Sequence, residues 1–257
     1  MYNFQEMFEK IITMSNKVIG ILVAMDKEYE LLSNLLDSPM IEYKKIGDKH
    51  RIEFIYSELN SKSCDYSTTV VVCKTGIGKV NAAMTATLLE EFCKPDIIIS
   101  TGVCGSLLTE GVNQGDIVIG KTVHYHDVWC GEPNNKGQVQ DMPTIYESVL
   151  ATDELYSNLS QKFSNKHFIM GDIISGDWFV DTKEKATSIV DTFGETAGLD
   201  MESAALAQVC HLYGTKFMSI RIVSDCPMNE QSAQYADFWT NAPKDLVRVV
   251  NELISFV

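Results

Sequence analysis

What most limits the fold of this chain is a beat that repeats along it. A short apolar run rich in β-branched residues gives way to a segment with helical spacing, and glycine or polar residues stand at the joint. The first instance is KVIGILVAM (17–25), a continuous apolar run of the kind buried on both faces of a sheet. DKEYELLSNLL (26–36) follows, with apolar residues at helical spacing. Further strands are expected at 51–59, 67–76, 94–102, 115–128, 167–177 and 216–225. Helices are expected at 78–93, 152–163, 182–193, from the corner after 199 to about 213, and at 242–256. The Gly, Pro and Asn content of 129–143 reads as a loop. One early run of consecutive strands breaks the alternation. The pattern predicts an α/β protein: a single domain with a mixed, mostly parallel central sheet flanked by helices.

Length and charge narrow the function. The chain's 257 residues can bury a substantial core, and no linker or internal repeat divides them. A formal net charge of −14 argues against a nucleic-acid surface, which needs basic patches. The seven cysteines are odd in number and form no CxxC pair, so neither a disulfide framework nor a zinc ribbon is supported. Scattered reduced thiols point to the cytoplasm. No apolar run approaches the ~20 residues that span a bilayer. The first fourteen residues lack a signal peptide's basic start and long apolar centre, yet residues 4, 7, 8, 11 and 12 have the spacing of a short amphipathic helix. Residues 1–16 therefore read as an N-terminal extension, surface-packed or frayed, and 17–257 as the folded domain.

In open α/β sheets, ligands gather at the carboxyl ends of the strands. Those ends here carry Met25 to Glu28, TGIGKV (75–80), TGVCGS (101–106), HYHD (124–127), SGDWFV (175–180), LDMES (199–203) and RIVSD (221–225). GIGK resembles a phosphate-binding loop only superficially. That pattern needs four residues between its glycines and Ser or Thr after the Lys, whereas Val80 follows Lys79. A tight, backbone-exposing turn before a helix remains. His124 and His126 share a strand face, as two metal ligands would, but spacing supplies no third ligand. The other ends supply three isolated acids (Glu28, Glu202, Asp225), an aromatic pair (Trp178, Phe179) and Arg221. Singly, each has an ordinary structural reading: first-turn helix acid, turn residue or core aromatic. Together they describe a polar cleft with an aromatic wall, suited to a neutral polyhydroxylated ligand with a base to stack on.

IGILVAMDKEYELL, TGIGKVNAAMTATLLEEFCKPDIIISTG, GDIVIGKTVHYHDV, SGDWFV, LDMESAALAQVCHLYG and RIVSD fall in the same order as in the methylthioadenosine/S-adenosylhomocysteine nucleosidases. These belong to the nucleoside phosphorylase/hydrolase superfamily, and the chain resembles them from about Lys17 to its C-terminus. The resemblance implies a nucleoside phosphorylase-like fold and N-glycosidic hydrolysis, in which adenine leaves a 5′-thio-substituted ribose. It implies that Glu28 activates the water and that Asp225 protonates the purine at N7. Met201 and Glu202 match the pair that holds the ribose. Phe179 matches the aromatic that stacks on adenine, and the Val180 backbone reads the base edge. Arg221 stands near ribose and water, and Tyr235 lies against the 5′-thio group. Met25 and Gly105, at the ends of the first and fourth expected strands, complete the substrate-binding set. No metal or organic cofactor is implied. The partners implied are a small nucleoside and a second copy of the chain in a homodimer, with neither nucleic acid nor membrane.

The residue types suit this chemistry. An oxocarbenium-like transition state favours nearby carboxylates. Adenine is a poor leaving anion and needs an acid, so Asp225 requires a raised pKa, which burial can give. The alternative is a purine nucleoside phosphorylase. Phosphorylases of the superfamily bind phosphate with arginines, one of them just before the glycine-rich turn. Here Ser100 holds that place, and only Arg51, Arg221 and Arg248 occur in the chain. The family usually has Ser or Thr where Val103 stands and a small residue where Cys104 stands. The lost hydroxyl keeps a second alternative open, a catalytically silent nucleoside-binding protein. Asp200 replaces a more usual Glu, and strand alternation points it away from the cleft or into a supporting role.

Overall fold

The computed structural model describes residues 4–34, 36–48, 50–60, 67–229 and 242–257. The apolar run at the start of the domain forms β1 (Lys17–Val23), buried along nearly all its length. It lies between two parallel partners, β4 (Ser67–Lys74) and β5 (Ile97–Gly105). That explains its lack of alternation, because neither face meets water. Antiparallel β3 (His50–Asn60) and β2 (Met40–Ile46) extend the sheet beyond β4. No strand was expected over MIEYKKI. It is an edge strand whose Glu42, Lys44 and Lys45 interrupt the apolar pattern, and such charges protect an open edge from pairing.

On the other side of β5 the sheet closes on itself. Strand β10 (Lys216–Asp225) runs parallel to β5 and antiparallel to β6 (Ile117–Tyr125). Strand β6 pairs in parallel with β8 (Phe168–Ser175), and β8 with β9 (Gly198–Asp200). Leu199 of β9 then pairs antiparallel with Gly105 at the end of β5. A two-residue strand, β7 (Tyr146–Glu147), adds to β6. The expected mixed sheet is therefore present, with its C-terminal half rolled into a ring.

Helices cover both faces. On one side α1 (Phe4–Met14), α3 (Lys79–Cys93) and α6 (Ser203–Tyr213) bury Phe8, Ala82, Ala86, Leu89 and the alanines of α6. Phe8 is fully buried, edge-on to Tyr56 with ring centroids 4.7 Å apart, so α1 contributes to the main core. On the other side lie α2 (Asp26–Ser33), α4 (Asp153–Lys162) and α7 (Ala242–Phe256). Helix α5 (Lys183–Phe193) packs Ala186 and Ile189 on Ile174, Val180 and Leu199.

One strand departs from expectation in a way that matters for function. Strand β5 was expected to end at Gly102 but continues to Gly105. Gly102 has φ +140° inside the strand. A Cβ there would lie 2.6 Å from Glu28 Oε1 and 2.9 Å from Arg221 Nη1. Glycine therefore marks the close approach of two charged side chains to the backbone rather than a strand end.

Candidate active site

A cleft of about 670 Å³, including its open mouth, lies at the carboxyl ends of β1, β5, β8, β9 and β10. Met25, Glu28, Gly105, Phe179, Val180, Met201, Glu202, Arg221 and Asp225 all line it. Tyr235 lies outside the described residues. Trp178, Asp200, Ser224, Cys104, Leu199, Ala24 and Ile77 complete much of the wall.

Glu28 sits in the first turn of α2, where an acid suits the helix dipole. It does more than cap. Oε2 accepts a hydrogen bond from Met25 N at 3.0 Å, and Oε1 accepts one from Val103 N at 2.9 Å across to β5. The carboxylate is thus fixed between two strand ends. Burial raises its pKa above the usual 4.5, outweighing the opposing pull of Arg221 and of the backbone N–H groups. Val103 holds Glu28 through its backbone, so a side-chain hydroxyl at position 103 is not needed for that contact.

Asp225 ends β10 next to a register shift between Val223 and Asp225. Its Oδ1 accepts from Ser224 Oγ at 2.6 Å. Burial raises its pKa above the usual 3.8, and the serine bond opposes this more weakly. The aromatic wall stands at the mouth: Trp178 and Phe179 are 48% and 63% exposed. Phe179 is therefore not a core aromatic, whereas Val180 is buried against α5.

The corner after β9 separates its two acids. Asp200 faces the scaffold. Its Oδ1 accepts from Ser175 Oγ at 2.5 Å and from the backbone N–H groups of Glu202 and Ser203 at 3.2 Å each, fixing the corner that leads into α6. Its Oδ2 pairs with Arg221 Nη2 at 2.8 Å and accepts from Ser203 Oγ. Glu202 has a different partner: Oε1 accepts from Gly78 N at 2.9 Å. The GIGK turn thus presents its backbone to a carboxylate of this protein.

Burial, then repulsion from Asp200, raises the Glu202 pKa from 4.5 to about 7, with Arg221 opposing. The folded state therefore holds this proton more tightly than the unfolded chain. That contribution to stability is complete below about pH 4.5 and is lost as pH rises towards 7. Glu202→Gln removes the loss. Its urea midpoint is expected to exceed that of wild type by a margin that grows between pH 5 and pH 8. A margin independent of pH would contradict this assignment.

Arg221 is 2% exposed, and each of its three nitrogens has an acceptor. Nη2 reaches Ser100 Oγ at 2.6 Å and Ser203 Oγ at 3.0 Å besides Asp200; Nη1 reaches Thr101 O at 3.3 Å, and Nε reaches Ser219 Oγ at 3.4 Å. Neither Arg51 nor Arg248 lines the cleft. Arg51 stacks on Tyr43, its guanidinium carbon 4.4 Å from the ring centre, and Arg248 sits on α7 beside Asp245. Three carboxylates, Asp200, Glu202 and Glu28, act on this one arginine, and Asp200 is its ion-pair partner.

His124 and His126 are buried, and burial lowers both pKa values. Among the described residues no group of three or more His, Cys, Asp or Glu side chains is placed to hold a metal ion. His126 packs on the Trp178 ring at 5.3 Å between centroids.

With fold and cleft defined, comparison places the chain. A family model described as the phosphorylase superfamily matches residues 18–255. The 5′-methylthioadenosine/S-adenosylhomocysteine nucleosidase of Staphylococcus haemolyticus is 33% identical over 240 residues, covering 92% of this chain and 99% of that protein. The protein of the same name from Desulfotalea psychrophila is 32% identical over 238 residues, covering 92% and 96%. The crystal structure of the Neisseria meningitidis 5′-methylthioadenosine/S-adenosylhomocysteine nucleosidase in complex with methylthio-immucillin-A superposes with a TM-score of 0.81 at 30% identity, covering 94% of this chain and 100% of that one. The chain belongs to the phosphorylase superfamily and, within it, to the 5′-methylthioadenosine/S-adenosylhomocysteine nucleosidase family.

Proposed function

We propose that this protein is an N-glycosyl hydrolase that releases adenine from 5′-methylthioadenosine, S-adenosylhomocysteine or a close relative. The observation that carries the choice of water over phosphate is the charge of the cleft. Glu28, Glu202 and Asp225 line it beside the ion pair of Asp200 with Arg221, and each nitrogen of that arginine has an acceptor among Ser100, Ser203, Ser219, Thr101 and Asp200. A phosphate dianion would enter among carboxylates without the bidentate arginine that its recognition favours. Ser100, at the place of a phosphorylase arginine, is itself an acceptor for Arg221.

In this reading the adenine ring stacks on Phe179 and the Val180 backbone reads its edge. Glu202 accepts from the ribose hydroxyls, with Met201 packed beside it, and Met25 and Gly105 border the sugar. Asp225 donates its proton to N7 as the C1′–N9 bond breaks, and the electron pair of that bond leaves with the base. The cationic sugar is stabilised by the carboxylates around it. Glu28 takes a proton from the water whose oxygen bonds to C1′. One water is consumed, neutral adenine departs, and the two acids recover their starting states by exchange with solvent. Arg221 holds Asp200 and offsets the charge of Glu28 and Glu202 through space. Tyr235 is assigned to the 5′-thio end. We further assign a homodimer and a cytoplasmic location; among the described residues no helix is long and apolar enough to cross a membrane.

Adenine release from 5′-methylthioadenosine is expected to run at the same rate in phosphate-free buffer as in phosphate, with free 5-methylthioribose as co-product. Strict phosphate dependence and a sugar 1-phosphate product would make the protein a phosphorylase. Binding without release of base would make it a sensor.

A further inference from the structure

Three segments that meet beside the cleft, at the protein surface, are tied by a closed set of bonds. The Lys79 ammonium reaches both oxygens of Asp127, at 2.8 and 2.7 Å. Asp127 Oδ2 also accepts from Asp177 N at 2.8 Å. Asp177 Oδ1 in turn accepts from Lys79 N, again at 2.8 Å. Each member thus holds the other two. Lys79 opens α3, Asp127 follows β6, and Asp177 follows β8, so the triangle joins elements far apart in sequence. None of the three lines the cleft.

The segments carrying two of these residues run into the cleft, which Ile77 lines before Lys79 and Trp178 after Asp177. Gly78, next to Lys79, donates to Glu202, the carboxylate assigned to the ribose. Trp178, Phe179 and Val180, which follow Asp177, form the wall assigned to the base. A Cβ on Gly78 would lie 3.0 Å from Asp177 Oδ1, so the turn and the wall segment are also in direct contact. The Asp127 side chain is 8% exposed and that of Lys79 22%, so solvent screens this pair less than a surface ion pair. Removing the ammonium leaves a buried carboxylate without its cation.

We propose that Lys79, Asp127 and Asp177 form an electrostatic clamp that sets the base wall in register with the ribose carboxylate, and that Lys79 is a positioning residue for cleavage of the bond between base and sugar. The inference rests on the functional reading above. It predicts that disturbing the clamp affects a ligand spanning both halves more than one touching the wall alone, because a misplacement near 1 Å can cost on the order of 100-fold in rate.

The test compares wild type, Lys79→Met, Lys79→Arg and Asp127→Asn, each shown to be folded at the assay temperature by circular dichroism. Lys79→Met is expected to raise KM for 5′-methylthioadenosine and lower kcat, each by roughly 10-fold. Its affinity for free adenine, read from tryptophan fluorescence, should stay within about 2-fold, since the wall itself is intact. Lys79→Arg keeps the charge and should recover most of kcat/KM. Asp127→Asn should shift both constants in the same direction as Lys79→Met, and it serves as the test if Lys79→Met does not fold. Unchanged kcat and KM in folded Lys79→Met and Asp127→Asn would overturn the clamp, as would an equal loss of adenine and nucleoside affinity. If wild type releases no adenine, the hydrolase reading fails, and the clamp is still decided by fluorescence titration with adenine against adenosine.

Discussion

Asp225→Asn is expected to lower kcat for adenine release by a factor on the order of 100 or more, about 2.7 kcal/mol in the barrier. The substitution keeps the shape of the side chain, and Ser224 Oγ can still donate to the oxygen it now holds at 2.6 Å. The change is confined to the proton. An amide cannot protonate a departing purine, and uncatalysed loss of the adenine anion is slow. KM should change little, because the assigned binding contacts come from Phe179, Val180 and Glu202. The pH dependence makes the test specific. Burial raises the Asp225 pKa above 3.8, so the acid form survives further towards neutrality, and activity falls as pH rises through the raised value. In Asp225→Asn that alkaline limb should vanish. Stability should follow the opposite course: the folded state disfavours the buried carboxylate, so at neutral pH the variant should unfold at the same urea concentration as wild type or higher. Near-normal turnover in a folded variant would remove Asp225 from the mechanism.

The sequence made the strand ends legible because parallel strands buried on both faces read as continuous apolar runs with polar joints. The bounds 216–225 and 242–256 coincide with β10 and α7. Four of the joints offered acids, aromatics or an arginine that the sheet brings to one cleft: Glu28, the Trp178–Phe179 pair, Glu202, and Arg221 with Asp225. What stayed hidden was non-local or lay against the pattern. In strand β2, at a sheet edge, Glu42, Lys44 and Lys45 interrupt the apolar residues, so it lacks the apolar signature of its neighbours. The ring from β5 through β10, β6, β8 and β9 depends on pairings between residues as distant as Gly105 and Asp225, and closes at Gly105 and Leu199. Gly102 read as a stop because glycine usually punctuates strands, whereas here it admits Glu28 and Arg221.

At the site, alternation does not part Asp200 from Glu202, since residues two apart share a strand face; they part because β9 ends at Asp200 and Glu202 stands on the corner before α6, and the partner of Asp200 is Arg221. No spacing rule would have found the serines around that arginine, which come from positions 100, 203 and 219. Lys79 was visible only as a failed phosphate-loop lysine. Its partners at 127 and 177 stand at two other strand ends, HYHD and SGDWFV, and an acid at each was the available signal.

Glu28→Gln is expected to cost at least as much as loss of the acid, a factor on the order of 100 or more in kcat, because it removes a base and also disturbs its anchoring. Each oxygen of Glu28 accepts a backbone N–H, from Met25 and from Val103. An amide can satisfy only one of them, and its NH₂ group must face the other donor. Leaving such a group unpaired costs about 1–3 kcal/mol. Removing a buried negative charge offsets part of that cost, so overall stability should move less than activity. The pH profile distinguishes the two losses. The Glu28 pKa is raised by burial, so wild-type kcat/KM should fall as pH drops through a value above the usual 4.5, as the base takes up a proton. If Glu28 is the base, that acid limb disappears in the variant while adenine binding persists, since the base wall does not touch position 28. If the limb remains with its original midpoint, another group activates the water. Glu202, with a pKa of about 7 in the same cleft, is then the group to test.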